Sequence, residues 1–329
     1  MSDTFRWGII GTGTIAGTFA QGLKSVKGAE LAAVGSRRRE NSEEFGDRFD
    51  IPGRYESYEE LASDPSLDAV YIATPHSLHR ENTILCLQSG KPVLCEKPFA
   101  INAQQAEEMI QCARDAGLFL MEAMWTRFFP AMDEVRKRLA SGILGDIRML
   151  SADFGFRAGR IDPGKRLFNP GLGGGALLDV GIYPVSLASM IFGTPARTVS
   201  MADIGDTGVD EQSAVVFGYP EGGLAILYTA IRTATPHEAV IMGTEGRIRI
   251  HPPWWKPESM TIQLSGKDEQ DITVPFRGNG YNYEAREVME CVRSAETESE
   301  VMPLDESLSI MQTMDTVRSQ WNLKYPMEE

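Results

Sequence analysis

Gly8-Ile9-Ile10-Gly11-Thr12-Gly13-Thr14-Ile15-Ala16 lies close to the start of the chain, between the strand-like run Arg6–Ile10 and the helical pattern Ile15–Lys24. The spacing is G-x-G-x-x-A. Gly11 permits a tight turn and Gly13 lets a pyrophosphate approach the backbone. Ala16 is small enough for the helix to pack on its strand, and Thr14 and Ile15 open that helix, whose N-terminal amides point at the anion. Alone, such a spacing marks only a turn. Following a first strand and opening an alternating unit, it predicts a dinucleotide cradle.

The alternation continues as far as Glu122. Glu30–Gly35, Ala69–Ala73, Pro92–Cys95 and Leu118–Glu122 read as short apolar strands, and Glu40–Phe49, Leu78–Ser89 and Ala103–Ala116 as helices between them. Strands apolar on both faces and separated by helices imply a parallel sheet with right-handed crossovers. Beyond Glu122 the pattern changes. A helix at 130–141, a strand at Asp146–Phe156 and a helix at Leu177–Ile191 precede a run of strands from Thr198 to Pro275, separated by turns such as Pro220-Glu221-Gly222-Gly223. That run predicts an antiparallel meander. Helices at Tyr283–Ser294 and Leu304–Leu323 close the chain, with Leu308, Met311 and Met314 as core. The expectation is an α/β protein: a doubly wound Rossmann domain over 1–122 and an α+β domain with a large open, mainly antiparallel sheet over 123–329.

The chain has 329 residues, 42% apolar and 24% charged, with a formal charge of −14, which suits a folded two-domain protein. The acidity is shared, −6 up to Glu122 and −8 beyond. No basic face is available to neutralise a phosphate backbone, so a nucleic-acid partner is not expected. Met1 to Trp7 is polar and runs straight into a strand, leaving no room for a signal peptide. The most apolar stretch, Val180–Gly193, is short for a bilayer and contains Pro184. Cys86, Cys95, Cys112 and Cys291 lack C-x-x-C spacing and read as reduced thiols. A cytoplasmic protein without a membrane partner is expected.

The choice of dinucleotide rests on the end of the second strand. An NAD site offers a carboxylate there, and an NADP site a cation for the 2′-phosphate. Glu30 begins the strand and so falls at the wrong edge. The end reads Gly35-Ser36-Arg37-Arg38, a hydroxyl and two guanidiniums, which suits NADP, with NAD possible.

Two further segments leave the same edge of the sheet, where open α/β folds bind ligands. One is Ala73-Thr74-Pro75-His76-Ser77-Leu78-His79, the other Cys95-Glu96-Lys97-Pro98-Phe99. Lys97 is either an ammonium aimed at a ligand or half of a surface ion pair with Glu96. In the second half, Asp179 and Tyr183 stand four apart on an apolar helix and share a face. They read either as site residues or as a buried tyrosine bonded to a helical neighbour.

Together, G-x-G-x-x-A, Glu96-Lys97-Pro98 and Asp179-x-Gly181-x-Tyr183 resemble the glucose–fructose oxidoreductase/inositol dehydrogenase/MocA family over essentially the whole chain. Within it, the run Met121 to Pro130 is similar to the branch of dimeric dihydrodiol and NADP-dependent D-xylose dehydrogenases. The resemblance implies that Lys97 and Tyr183 form a proton-transfer pair with Asp179 beside them. It implies that Thr74, Pro75, His76, His79 and Glu96 lie on the cofactor side, and that Trp125, Arg127 and Phe154 serve the substrate side. It also implies a homodimer through the C-terminal sheet. The activity implied is hydride transfer between nicotinamide and a CH–OH carbon of a cyclic polyol. An aldose oxidised at C1 to its lactone comes first and a trans-dihydrodiol second. A phenol titrates near pH 10, so a tyrosine base needs a neighbouring cation, the part assigned to Lys97. A non-catalytic, cofactor-sensing regulator is the reading from another class.

Other chemistries have little support. His76-x-x-His79 lacks a third ligand nearby, so no metal is expected. No G-x-S-x-G elbow marks a serine hydrolase. Trp254-Trp255 reads as aromatic cover over a sheet edge in preference to a sugar-stacking platform or partner patch.

Overall fold

The computed structural model describes residues 4–328. Strands β1 (Phe5–Ile10), β2 (Ala29–Gly35), β3 (Gly53–Tyr55), β4 (Ala69–Ile72), β5 (Val93–Glu96) and β6 (Leu120–Ala123) form one parallel sheet in the order β3-β2-β1-β4-β5-β6. Helices α1 (Thr14–Leu23), α2 (Arg39–Phe49), α3 (Tyr58–Ala62), α4 (His79–Gln88) and α5 (Ala103–Ala116) make the crossovers. Each expected strand forms, because its residues are apolar on both faces and are covered on both. An aromatic chain ties α1 to the sheet: Trp7 meets Phe19 edge-on, and Phe19 stacks on Tyr71 at 3.8 Å. Strand β3 and helix α3 were not expected. Three half-buried residues, Gly53–Tyr55, are too few to show a period.

The strand order reverses between β1 and β4, where a doubly wound sheet opens a crevice. There the two emerging loops touch through backbone. Gly11 has φ +107°, and a Cβ at that position would lie 2.7 Å from the Ala73 carbonyl oxygen. Only glycine allows this approach.

The second half contributes helix α6 (Pro130–Ala140), strand β7 (Ile147–Gly155) and helix α7 (Ile182–Phe192). Then come β8 (Arg197–Ile204), β9 (Asp210–Gly218), β10 (Leu224–Ala230), β11 (Ala239–Gly243), β12 (Gly246–Ile250), β13 (Ser259–Leu264) and β14 (Gln270–Thr273). The sheet order is β14-β13-β12-β11-β7-β10-β9-β8. The simple meander is therefore corrected. Strand β7 inserts between β10 and β11, parallel to β10 and antiparallel to β11. It fits because Leu150 and Ala152 extend the buried row made by Ala225, Leu227 and Ile241. That row faces α7. On the opposite face Val199, Val216 and Ile226 stand side by side across three strands, and Met201 beside them is 78% exposed.

Before α7 the helix opens into one wide π-type turn, Leu177–Gly181. Pro184 accounts for it: a proline has no N–H to donate, and its ring crowds the carbonyl four residues back, here Val180. The helical turns from Pro170 to Phe192 run for 23 residues, longer than the apolar stretch expected, with a most apolar window of mean hydropathy 1.6. Since 78% of that window is buried inside the protein, it is a core helix by position.

Helices α8 (Tyr281–Arg293) and α9 (Leu304–Ser319) follow. The chain divides into two compact units, but not at Glu122. The first takes in the described residues up to Trp125 together with Arg277–Leu308; the second is Thr126–Phe276 and the chain from Ser309 onward. Helix α8 thus belongs with the parallel sheet, where it packs on α1, and Asn279 Nδ2 donates to Thr18 O at 2.7 Å.

Gly11→Ala should lower the thermal midpoint of unfolding by several degrees, reflecting about 1–3 kcal/mol of backbone strain and overlap with Ala73. Gly13→Ala serves as its control. No atom lies within 4 Å of a Cβ there, so its midpoint should stay within about a degree of wild type.

Candidate active site

The first unit carries a cradle at the end of β1. Gly11 N–H donates to Gly35 O at 3.0 Å, which fixes the turn. Gly13 caps α1 and, with Thr14, is exposed, while Ala16 is fully buried against the sheet. The first turn of α1 holds no acidic residue. The space beside Gly13 is open, so a phosphate can reach the backbone amides of the helix start. These residues fit the pyrophosphate of a dinucleotide.

At the end of β2, Ser36 is buried and its hydroxyl accepts the Arg38 N–H at 3.3 Å. Arg37 and Arg38 are exposed. Arg37 lies against Tyr58, whose hydroxyl is pushed up by burial while the Arg37 charge opposes the shift. The third arginine of the run is committed elsewhere: Arg39 pairs with Glu43 and Glu56. Glu30, at the other end of the strand, pairs with Arg6 at 3.1 Å. Glu30 therefore does not belong to the strand end that a ribose would meet.

The loops after β4 and β5 are held to each other. His79 is completely buried, with Nδ1 2.9 Å from Pro98 O and Nε2 3.0 Å from Thr74 O. It had been expected on the cofactor side. With both ring nitrogens on backbone carbonyls, it serves as a crossbar between the two loops. Asn82 Nδ2 donates to Thr74 Oγ1 at 3.1 Å, and His76 lies edge-on to His79, 95% buried. Pro75, half-buried, joins them.

Glu96 ends β5 and is 4% exposed, so the surface ion pair considered for Lys97 does not describe it. Its carboxylate accepts the Tyr71 hydroxyl and, at 3.2 Å, the backbone N–H of Lys97. Lys97 itself is half-buried and is joined to Pro98 by a cis peptide. Glu122 supports the same loop: Phe99 N–H and Ser307 Oγ donate to its two oxygens at 3.1 and 3.0 Å. Trp125 stacks on Tyr281 at 4.7 Å.

In the second unit Asp179 lies in the wide turn and Tyr183 begins α7, both more than nine-tenths buried. Arg166 Nη2 meets Asp179 Oδ1 at 2.8 Å. The sequence reading missed Arg166, since it stands in a loop whose course no local pattern sets. Phe154 lies 5.2 Å from Tyr183 and stacks on Trp255, with His237 edge-on to both. The adjacent tryptophans thus differ. Trp254 is fully buried, its indole N–H donating to Asp153 O at 2.6 Å, whereas Trp255 joins the aromatic wall beside Tyr183. Cover over a sheet edge describes neither, since Asp153 belongs to β7, an inner strand of the sheet.

Arg127 is 3% exposed, and its guanidinium donates to Ser186 Oγ at 3.1 Å and Ser186 O at 2.7 Å. It braces α7 one turn beyond Tyr183. Expected on the substrate side, Arg127 thus bonds within the second unit, to α7. Among the described residues, no cluster of three His, Cys, Asp or Glu is arranged to hold a metal.

Residues 5–124 match the family model described as "Oxidoreductase family, NAD-binding Rossmann fold", and residues 132–249 match the "GFO/IDH/MocA C-terminal domain". Trans-1,2-dihydrobenzene-1,2-diol dehydrogenase of Mus musculus is 39% identical, and that of Homo sapiens 38%, each alignment covering 98% of this chain and 99% of the relative. Among solved structures, a 3-ketoreductase from Actinomadura kijaniata in complex with NADP and TDP-benzene is 27% identical with a TM-score of 0.86, covering 96% of this chain and 97% of that one. Aldose-aldose oxidoreductase from Caulobacter crescentus, complexed with glycerol, has the same identity and coverage with a TM-score of 0.88.

Proposed function

The chain belongs to the Gfo/Idh/MocA oxidoreductase family, and from that membership we propose an NADP-preferring dehydrogenase that oxidises a ring carbon bearing a hydroxyl, first of all C1 of a pyranose aldose. The product is the lactone. The observation that carries the substrate class is the make-up of the surroundings of Tyr183. An aromatic plate, Phe154 on Trp255, lies beside it, and Asp179, in the turn before it, pairs with Arg166. A plate and a polar pair suit a ring with one apolar face and hydroxyls at its rim. A second reading, a trans-dihydrodiol substrate, is favoured by the names of the relatives at 38–39% identity.

Held by the Gly11–Ala16 cradle, a nicotinamide dinucleotide would supply the hydride acceptor for the substrate carbon. Tyr183 takes the proton of the hydroxyl on that carbon, as a phenolate whose charge Lys97 favours. Asp179, paired with Arg166, orients the hydroxyls. Loss of a hydride and a proton removes two electrons from the alcohol and leaves a carbonyl. Glu96 and Glu122 hold the Lys97 loop, and Arg127 holds the helix of Tyr183.

The NADP preference is supported by Ser36, Arg37 and Arg38 at the end of β2. A homodimer through the large sheet is supported by the exposed row Val199, Val216 and Ile226 with Met201, since contiguous apolar residues on a sheet face mark an interaction surface. A cytoplasmic location accords with four free cysteines.

Tyr183→Phe and Lys97→Met should each lower kcat by at least about 100-fold while the Kd for NADP moves less than about threefold. Assays with D-xylose, D-glucose and trans-benzene dihydrodiol, followed by absorbance of the reduced cofactor, check this and rank the substrates; near-normal turnover in either variant removes the assignment. Arg37→Asp should weaken NADP binding by about tenfold or more and leave NAD binding nearly unchanged; unaltered discrimination in titration calorimetry rejects the cation's role. Met201→Glu should convert a dimer to a monomer in sedimentation velocity without loss of fold, and a wild-type chain that sediments as a monomer rejects the interface.

A further inference from the structure

Asp210, the first residue of β9, is completely buried. Its Oδ2 accepts the backbone N–H of Leu177 at 2.7 Å. Leu177 opens the wide turn that contains Asp179 and leads into Tyr183. The other oxygen, Oδ1, has no hydrogen-bond partner and occupies the space a side chain on Gly175 would need. Gly175 has φ +113°, and a Cβ there would overlap Oδ1, so glycine is required by both conformation and space.

The glycine run 173–175 is held from two other directions. Gly174 N–H donates to Asn169 O and Gly175 N–H to Leu167 O, at 3.0 and 2.9 Å, which anchors the loop carrying Arg166. Tyr325 Oη donates to Gly174 O at 2.8 Å. Tyr325 is itself held by a C-terminal turn in which Arg318, 4% exposed, bonds Glu328 and Asp315. The Asp210 carboxyl therefore lies where the Arg166 loop, the Asp179 turn and the chain terminus converge, all within the second unit.

We propose that Asp210 is a positioning residue for the reaction: through Leu177 N–H and the side-chain-free approach at Gly175 it sets the start of the helix that presents Asp179 and Tyr183. The inference rests on the roles proposed above for those two residues. Asp210 acts on them only through backbone.

The groups around it give the arrangement a pH dependence. Burial raises the Asp210 carboxyl to about 7, against the Leu177 and Ala176 amides and the Arg318 charge, which favour the ionised form. Tyr325 also faces it, with Glu328 and Asp315 behind Arg318, and the next residue, Glu211, pairs with Arg232 at 3.3 Å. Above about pH 7 the carboxylate makes a charge-assisted bond to the helix start and favours its dipole. Below that pH the acid accepts less strongly. Turnover should therefore gain an inflection near pH 7, rising with pH.

The experiment compares wild type, Asp210→Ala, Asp210→Asn and Tyr183→Phe with NADP and the best substrate from pH 5.5 to 9. Asp210→Ala should lower kcat by about 10- to 100-fold with the Kd for NADP within about twofold, the size of effect a small misplacement of a reacting group produces. Asp210→Asn, whose amide oxygen still accepts from Leu177, should recover kcat to within about fivefold and lose the inflection near pH 7. A folded Asp210→Ala enzyme with kcat within about twofold of wild type overturns the inference. So does an Asp210→Asn profile that keeps the inflection, and that measurement decides alone if the alanine variant does not fold. An inactive Tyr183→Phe beside normal Asp210 variants removes only the positioning role. An active Tyr183→Phe removes the proposed chemistry and this role with it.

Discussion

A hydrogen atom in place of a side chain at Gly11 lets the backbones leaving β1 and β4 come into contact, and the carboxyl edge of the parallel sheet is organised from that contact. With Gly11 N–H on Gly35 O, three neighbouring strand ends are fixed by main-chain atoms. The side chains beyond them continue in the same style. His79 joins the carbonyls of Thr74 and Pro98, and Glu122 takes the Phe99 N–H. Side chains bonded to backbone hold loops more firmly than pairs of mobile side chains, because only one partner of each bond has rotamer freedom to lose. The loop that carries Lys97 is thus placed by side chains bonded to its main chain.

Much of this was legible in the sequence because it depends on local order. Apolar runs covered on both faces identify β1, β2, β4, β5 and β6 without knowledge of partners. The glycine spacing places the cradle at the end of the first strand, and Glu96-Lys97-Pro98 falls at a strand end for the same reason. What escaped depends on contacts distant in sequence. Strand β7 lies between β10 and β11 because of its pairing partners some 75 and 90 residues on, roughly, and no periodicity records that. Arg166 reaches Asp179 from an irregular loop. Trp254 and Trp255 are neighbours with different surroundings, the first in the core and the second on Phe154. In the sequence Pro184 reads only as a residue unsuited to a membrane span, and the wide turn carrying Asp179 before it needed the fold.

The buried acids fall into two kinds. Glu122 and Asp153 are satisfied, the latter by the backbone N–H groups of His237 and Glu238 at 2.7 and 3.1 Å. Glu284 on α8 is fully buried with neither oxygen hydrogen-bonded, and burial followed by the Glu96 charge raises it well above the usual carboxylate range. Removing an unpaired carboxylate from water disfavours its ionised form, which is the cause of that rise.

Helix α8 has one more effect. Because Arg277–Leu308 rejoins the parallel-sheet unit, the polypeptide passes between the units three times. No single cut yields either half whole: a fragment ending near Trp125 would expose the side of α1 that α8 covers. Grafting a different second unit onto this first one would require three matched splices, so variation in such a chain is more readily reached by exchanging loops than by exchanging whole units.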